Sequence, residues 1–119
     1  MKFAMLIHED EKVWAQATPQ ENEAAMKAIF GWFERWGGSG SIADGGAQLQ
    51  PSSTAKTIRA GRSGTAAITD GPYLELKEVL GGVVFLEASD LDEAVSFAAT
   101  WPSLRPGTSI EVRPVVVND

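Results

Sequence analysis

The order of periodic segments predicts an α+β fold, an antiparallel sheet with two helices on one face. Three observations carry this. Two near-continuous apolar runs, residues 2–8 and 83–87, have the pattern of central strands covered on both faces. Two segments of helical spacing, opening near Thr18 and near Asp90, carry N-terminal cap residues. Gly61-Arg62-Ser63-Gly64 supplies a turn between two β-prone segments. The chain then reads strand, helix, hairpin strands, strand, helix, strand, which is a split βαβ arrangement in one domain spanning residues 1–119.

The first strand ends at His8, and Glu9-Asp10-Glu11 follows as a solvated acidic loop, with Trp14 in a short connector. Thr18 is placed to cap the first helix, Pro19 fits its first turn, and Glu21 completes a capping box. Ala25, Ile29, Trp32 and Trp36 recur at helical spacing, flanked by Met26 and Phe33, and form a core stripe. Gly37-Gly38 stops the helix, and the Gly- and Ser-rich residues 37–46 read as a helix-to-strand connection. Residues 48–51 form a short edge element or loop. Residues 55–60 and 64–69 are the hairpin strands, and Lys56, Arg59 and Arg62 make its surface basic. After residues 83–87, Ser89 or Asp90 caps a second helix whose buried stripe is Leu91, Ala94, Val95 and Ala98. Trp101-Pro102 ends it, and residues 109–117 form the last strand, limited in its pairing by Pro114.

Composition narrows the function classes. With 119 residues, 44% apolar and 22% charged, the chain suits one globular core. A net charge of −6 argues against a nucleic-acid backbone as partner. No apolar run is long enough to span a bilayer, and no signal peptide precedes residue 2, so a cytoplasmic location is expected. The absence of cysteine removes disulfides, thiolate nucleophiles and cysteine metal sites. One histidine without a spaced partner makes no zinc site, and consecutive acids point in different directions, so no metal or other cofactor is implied. Gly38 to Ala43 formally matches a dinucleotide fingerprint but follows a helix rather than a strand, which rules it out.

The most specified stretch is residues 70–82. Asp70 accepts from amides of the turn it begins, Pro72 fixes its own φ, and Gly81-Gly82 mark a bend or close backbone approach. Tyr73, Glu75 and Lys77 share one face if the segment is extended. His8 is the one side chain with an ordinary pKa near neutrality, and it ends a strand as Asp70 does. If those ends meet, Asp70 orients the imidazole as a general base, and Tyr73 or Lys77 polarises a carbonyl or binds a carboxylate. The bland alternative makes His8 a strand-end residue, Asp70 a turn-former and Lys77-Glu78 a surface ion pair. Strands apolar on both faces need a second cover, which a homodimer packed sheet to sheet provides.

Thr69-Asp70-Gly71-Pro72-Tyr73, Lys77-Glu78, Leu80-Gly81-Gly82, Asp90-Leu91-Asp92-Glu93-Ala94 and Glu111-Val112-Arg113-Pro114 resemble the YCII-related family in its DGPF-motif branch, as does Leu49-Gln50-Pro51. The likeness runs from Met1 to Val116. It implies a ferredoxin-like fold and a dimeric α+β barrel. It also implies either an enzyme of lyase or isomerase type, acting on a small organic acid through a His/Asp pair, or a non-catalytic binding module associated with sigma-factor regulation. The family's aspartate corresponds to Asp70. His8 stands where the branch often has Tyr, and Tyr73 replaces the usual Phe. Asp70 with His8 is the candidate catalytic pair, and Tyr73, Lys77 and Glu78 are the candidate contacts to a small anionic ligand.

Overall fold

A computed structural model describes residues 1–72 and 77–118, with only the backbone at Asp44. The strands are β1 (Lys2–Glu9), β2 (Ile42–Gln48), β3 (Lys56–Ala60), β4 (Ala66–Asp70), β5 (Val79–Glu87) and β6 (Thr108–Pro114). The helices are α1 (Glu11–Gln16), α2 (Pro19–Gly38) and α3 (Leu91–Ala98), with a single 3₁₀ turn at Ser52–Thr54. The fold is α+β. Four strands form an antiparallel sheet in the order β2-β5-β1-β6, and β3 and β4 form a separate two-stranded sheet. No helix among the described residues is long and apolar enough to cross a membrane.

Strand β1 organises the core. Phe3, Met5 and Ile7 are buried, while Ala4, Leu6 and His8 between them are half-buried, the period of a strand with two unlike faces. In register, Phe3 lies beside Leu86, and Met5 lies between Val84 and Val112, so one face becomes a continuous apolar layer. Trp32 of α2, Ala94 and Ala98 of α3, and Trp101 cover that layer. Trp32 packs edge-on against Phe33 at 5.1 Å and against Trp101 at 5.0 Å between centroids. Thr100 joins the two long helices: its Oγ1 accepts from the indole N–H of Trp32 (2.9 Å) and of Trp36 (3.1 Å) and donates to the Phe97 carbonyl (2.6 Å).

The cap signals are realised atom by atom. Glu21 N–H donates to Thr18 Oγ1 at 3.1 Å and Thr18 N–H to Glu21 Oε1 at 2.9 Å, closing the box on α2. This exchange holds the Glu21 carboxyl below its ordinary pKa. Asp90 caps α3 through the Glu93 N–H at 2.8 Å.

Several expectations are corrected. Helix α2 runs through Gly37 and Gly38 and ends at Ser39. The Gly-rich segment after it is not a plain connection, because it contains β2, the edge strand paired to β5. Gly46 explains why small residues form a strand here: a Cβ at that position would sit 2.6 Å from the Val83 carbonyl oxygen. Trp14 lies in a short helix capped by Asp10, whose side chain accepts from Lys12 N–H at 3.1 Å, rather than in a connector. The hairpin stands apart from the main sheet, β5 starts at Val79 rather than at residue 83, and β6 ends at Pro114.

Thr100→Val is expected to lower stability by about 1–3 kcal/mol, because it strands the buried Trp32 N–H without an acceptor. Thr100→Ser, which keeps the hydroxyl, is expected to recover most of that loss, and urea unfolding of the three proteins measures it.

Candidate functional site

A cleft of about 910 Å³ opens between the helices and the β2–β5 side of the sheet. Ile7, Val79 and Val84 contribute from the sheet, Met26, Ile29 and Phe33 from α2, and Trp14 from α1. Among the described side chains, five polar ones interrupt this apolar wall: Glu9, Glu11, Asn22, Gln48 and Gln50. A large apolar hollow with few polar groups is the usual form of a small-molecule site.

Glu9 reaches the cleft because β1 continues its alternation. Phe3, Met5, Ile7 and Glu9 fall on the helix face, and His8 falls on the other. Burial raises the Glu9 pKa above its ordinary 4.5, and the nearby Glu11 charge adds to this. The Trp14 indole and the Arg105 charge work against the rise. Arg105 sits over the Trp14 ring, 4.9 Å from its centroid, so the indole lies between a cation on its face and a carboxylate at its edge.

The backbone opposite Glu9 is shaped for it. The β1–β5 pairing shifts register between Ile7 and His8, where Gly81 is the extra residue of a bulge. A Cβ on Gly81 would meet Glu9 Oε2 at 2.9 Å, so a larger residue there would push the carboxylate end of Glu9 aside. The Gly81 carbonyl accepts from Leu49 N–H at 2.8 Å and ties the 49–51 segment to the same strand. Glu11 fastens the other end of that segment. Its carboxylate accepts from Ser52 N–H at 2.8 Å and from the Ser52 hydroxyl. Glu11 is thus committed to structure, whereas Glu9, with the Trp14 indole at its carboxylate, borders the cleft. Two enclosed polar atoms lack a hydrogen-bond partner among the described residues, Asn22 Oδ1 and Trp101 Nε1, and both residues border the cleft.

The residues singled out from the sequence lie elsewhere. His8 is half-buried on the sheet face away from the helices, between Leu80 and Ser109 in register. Asp70 ends β4 with its side chain 89% exposed, held by Lys56 Nζ at 2.7 Å. No hydrogen bond joins His8 to Asp70 among the described residues. Glu78 accepts from Ser109 Oγ at 2.6 Å, which places it near His8 on the open face. Lys77 is exposed and forms no ion pair with Glu78 among the described residues. Tyr73 lies outside the described residues. The turn that Asp70 begins is fixed by Gly71 N–H to the Ala55 carbonyl at 2.7 Å and by Thr57 Oγ1 to the Gly71 carbonyl at 2.8 Å.

Glu9-Asp10-Glu11 is therefore not a solvated loop. Its three acids have three roles: cleft carboxylate, helix cap and clamp on Ser52. The signal in the sequence was the odd-numbered period of Phe3, Met5 and Ile7, which extends by one step to Glu9.

The YCII-related domain model matches residues 1–117. An uncharacterised protein of Rhizobium meliloti (strain 1021) is 32% identical over 118 residues, covering 98% of this chain and 94% of the relative.

A raised carboxyl pKa means that the folded state holds the proton more tightly than the unfolded chain. The stability Glu9 contributes is then present below its ordinary 4.5 and is lost as pH rises through the folded value. Glu9→Gln, a neutral isostere, is expected to raise the melting temperature relative to wild type at pH 7 and to lose that advantage by pH 4. Thermal melts across this range check it, and an advantage that grows toward acid pH contradicts it.

Proposed function

This chain belongs to the YCII-related family, and from that premise we propose that the cleft is the site of a small-molecule enzyme in which Glu9 moves a proton. The observation that carries this is a half-buried Glu9 on the wall of an apolar hollow of about 910 Å³. A carboxyl pushed upward by burial is better matched to giving and taking protons near neutrality than an exposed one. The reaction class is proton transfer at carbon or oxygen, as in isomerases and lyases, and it needs only the one group. A His8/Asp70 pair is a separate proposal. It requires the exposed hairpin of a second subunit to bring Asp70 to the open face carrying His8, and it breaks the bond from Asp70 to Lys56.

The proposal extends to assembly. The strand order, with both long helices on one face, supports a ferredoxin-like topology, and Asp70-Gly71-Pro72 supports the DGPF branch. On the open face, Ala4, Leu6, Val83 and Phe85 form an apolar centre. Lys2, over the Phe85 ring at 5.5 Å, and the Glu111–Arg113 pair border it. An apolar centre with a charged border is the anatomy of an interface, and a second copy packed sheet to sheet completes a dimeric α+β barrel.

Deuterium exchange into a panel of enolisable ketones and keto acids, followed by proton NMR, tests the chemistry. Wild type is expected to catalyse exchange in at least one compound, Glu9→Gln to lose it by about 10²-fold or more, and His8→Ala and Asp70→Asn to keep it. Loss in the last two with retention in Glu9→Gln transfers the site to the His8/Asp70 pair. Ligand held by wild type without exchange points to the non-catalytic binding module. For the assembly, light scattering is expected to give the mass of two chains for wild type and one for Leu6→Asp, and a single-chain mass for wild type contradicts the dimer.

A further inference from the structure

The charges around the cleft restrict what can occupy it. None of the chain's ten lysines and arginines, nor its one histidine, lies on the cleft wall. Among the described side chains, both ionisable groups that do are carboxylates, Glu9 and Glu11. The α2 N-terminus brings Asn22 to the wall and would ordinarily attract an anion, but the Glu21 carboxylate of the capping box already occupies that pole. Arg105 is not on the wall; its guanidinium lies over the Trp14 ring and its charge acts on Glu9. A ligand carboxylate or phosphate entering here would shed water, meet Glu9, and find no counter-charge on the wall.

The complementary ligand is the reverse. Resting on the reading that the cleft is a small-molecule site, we infer that it takes a largely apolar molecule whose polar end is an organic amine, paired with the Glu9 carboxylate, and that it discriminates against organic acids. The ammonium group donates charge-assisted hydrogen bonds to Glu9, which are stronger than neutral ones. Its body packs on Trp14, Met26, Ile29 and Phe33, where aromatic faces favour a cation as well as hydrocarbon. The chain's net charge of −6 favours the approach of cations over anions. Gly81 leaves open space beside the Glu9 carboxylate. The organic-acid substrate that family resemblance implies is therefore replaced, for this chain, by a cationic one.

A matched set of naphthylmethylamine, naphthylmethanol and naphthylacetate tests this by calorimetric titration at pH 7, with Nile red as a neutral apolar probe of the cleft itself. The amine is expected to bind at least about tenfold tighter than the acid. Glu9→Gln is expected to bring the amine to the affinity of the alcohol and leave the alcohol unchanged. Gly81→Ala, which crowds the carboxylate without removing it, is expected to weaken the amine alone. Acid binding equal to or tighter than the amine overturns the inference, as does an amine affinity that Glu9→Gln leaves intact. Nile red bound with none of the three naphthyl compounds overturns the inference but spares the cleft. Failure of all four probes overturns both.

Discussion

The register of β1 is the constraint on which the rest depends. A strand presents alternate residues to opposite faces, so once Phe3, Met5 and Ile7 are committed to the core, the fates of His8 and Glu9 are decided together. His8 must face away from the helices and Glu9 must face under them. A slip of one residue would exchange the two and expose the core. The division of the molecule into a helix-covered face with a cleft and an open face with a histidine follows from that single choice.

Holding a carboxylate on the helix side has a cost, and the structure shows where it is offset. Desolvation disfavours the charged form, and the Trp14 indole and Arg105 recover part of the loss. The bulge at Gly81 supplies the space, and the carbonyl of the same glycine ties down the 49–51 segment. Glu11, two residues on, clamps Ser52. A structural role for Glu9 alone would not need an open hollow beside it. Thr100 holds the wall from the far side by satisfying two indoles with one hydroxyl, so the cleft is built between elements that are themselves locked.

Much of the fold was legible because its signals are local. The capping box Thr18-Pro19-Gln20-Glu21, the Asp90 cap, the turn at residues 61–64 and the apolar runs of β1 and β5 each state their structure within a few residues. β2 was not legible. Its glycines lower β propensity, and the reason for them, the approach of Gly46 to the Val83 carbonyl, lies in a strand far along the chain. Helix α1 was hidden by an acidic run that reads as solvent-facing until Asp10 is seen to cap it. The cleft carboxylate was hidden for a related reason. Reference pKa drew attention to His8, whereas Glu9 gains its character from burial, which only the fold supplies. Asp70 ends β4 with its side chain on Lys56 while Ala55 and Thr57 hold the following turn, and it lies in a different sheet from His8.

The most direct measurement is the titration of the Glu9 carboxyl carbon by ¹³C NMR in the intact protein. A midpoint above 4.5 that falls when an amine fills the cleft is the result expected from a half-buried carboxylate awaiting a cation. A midpoint at or below 4.5, unmoved by any ligand, would mean that Glu9 is an ordinary surface acid and that the cleft lacks the group on which its chemistry has been built.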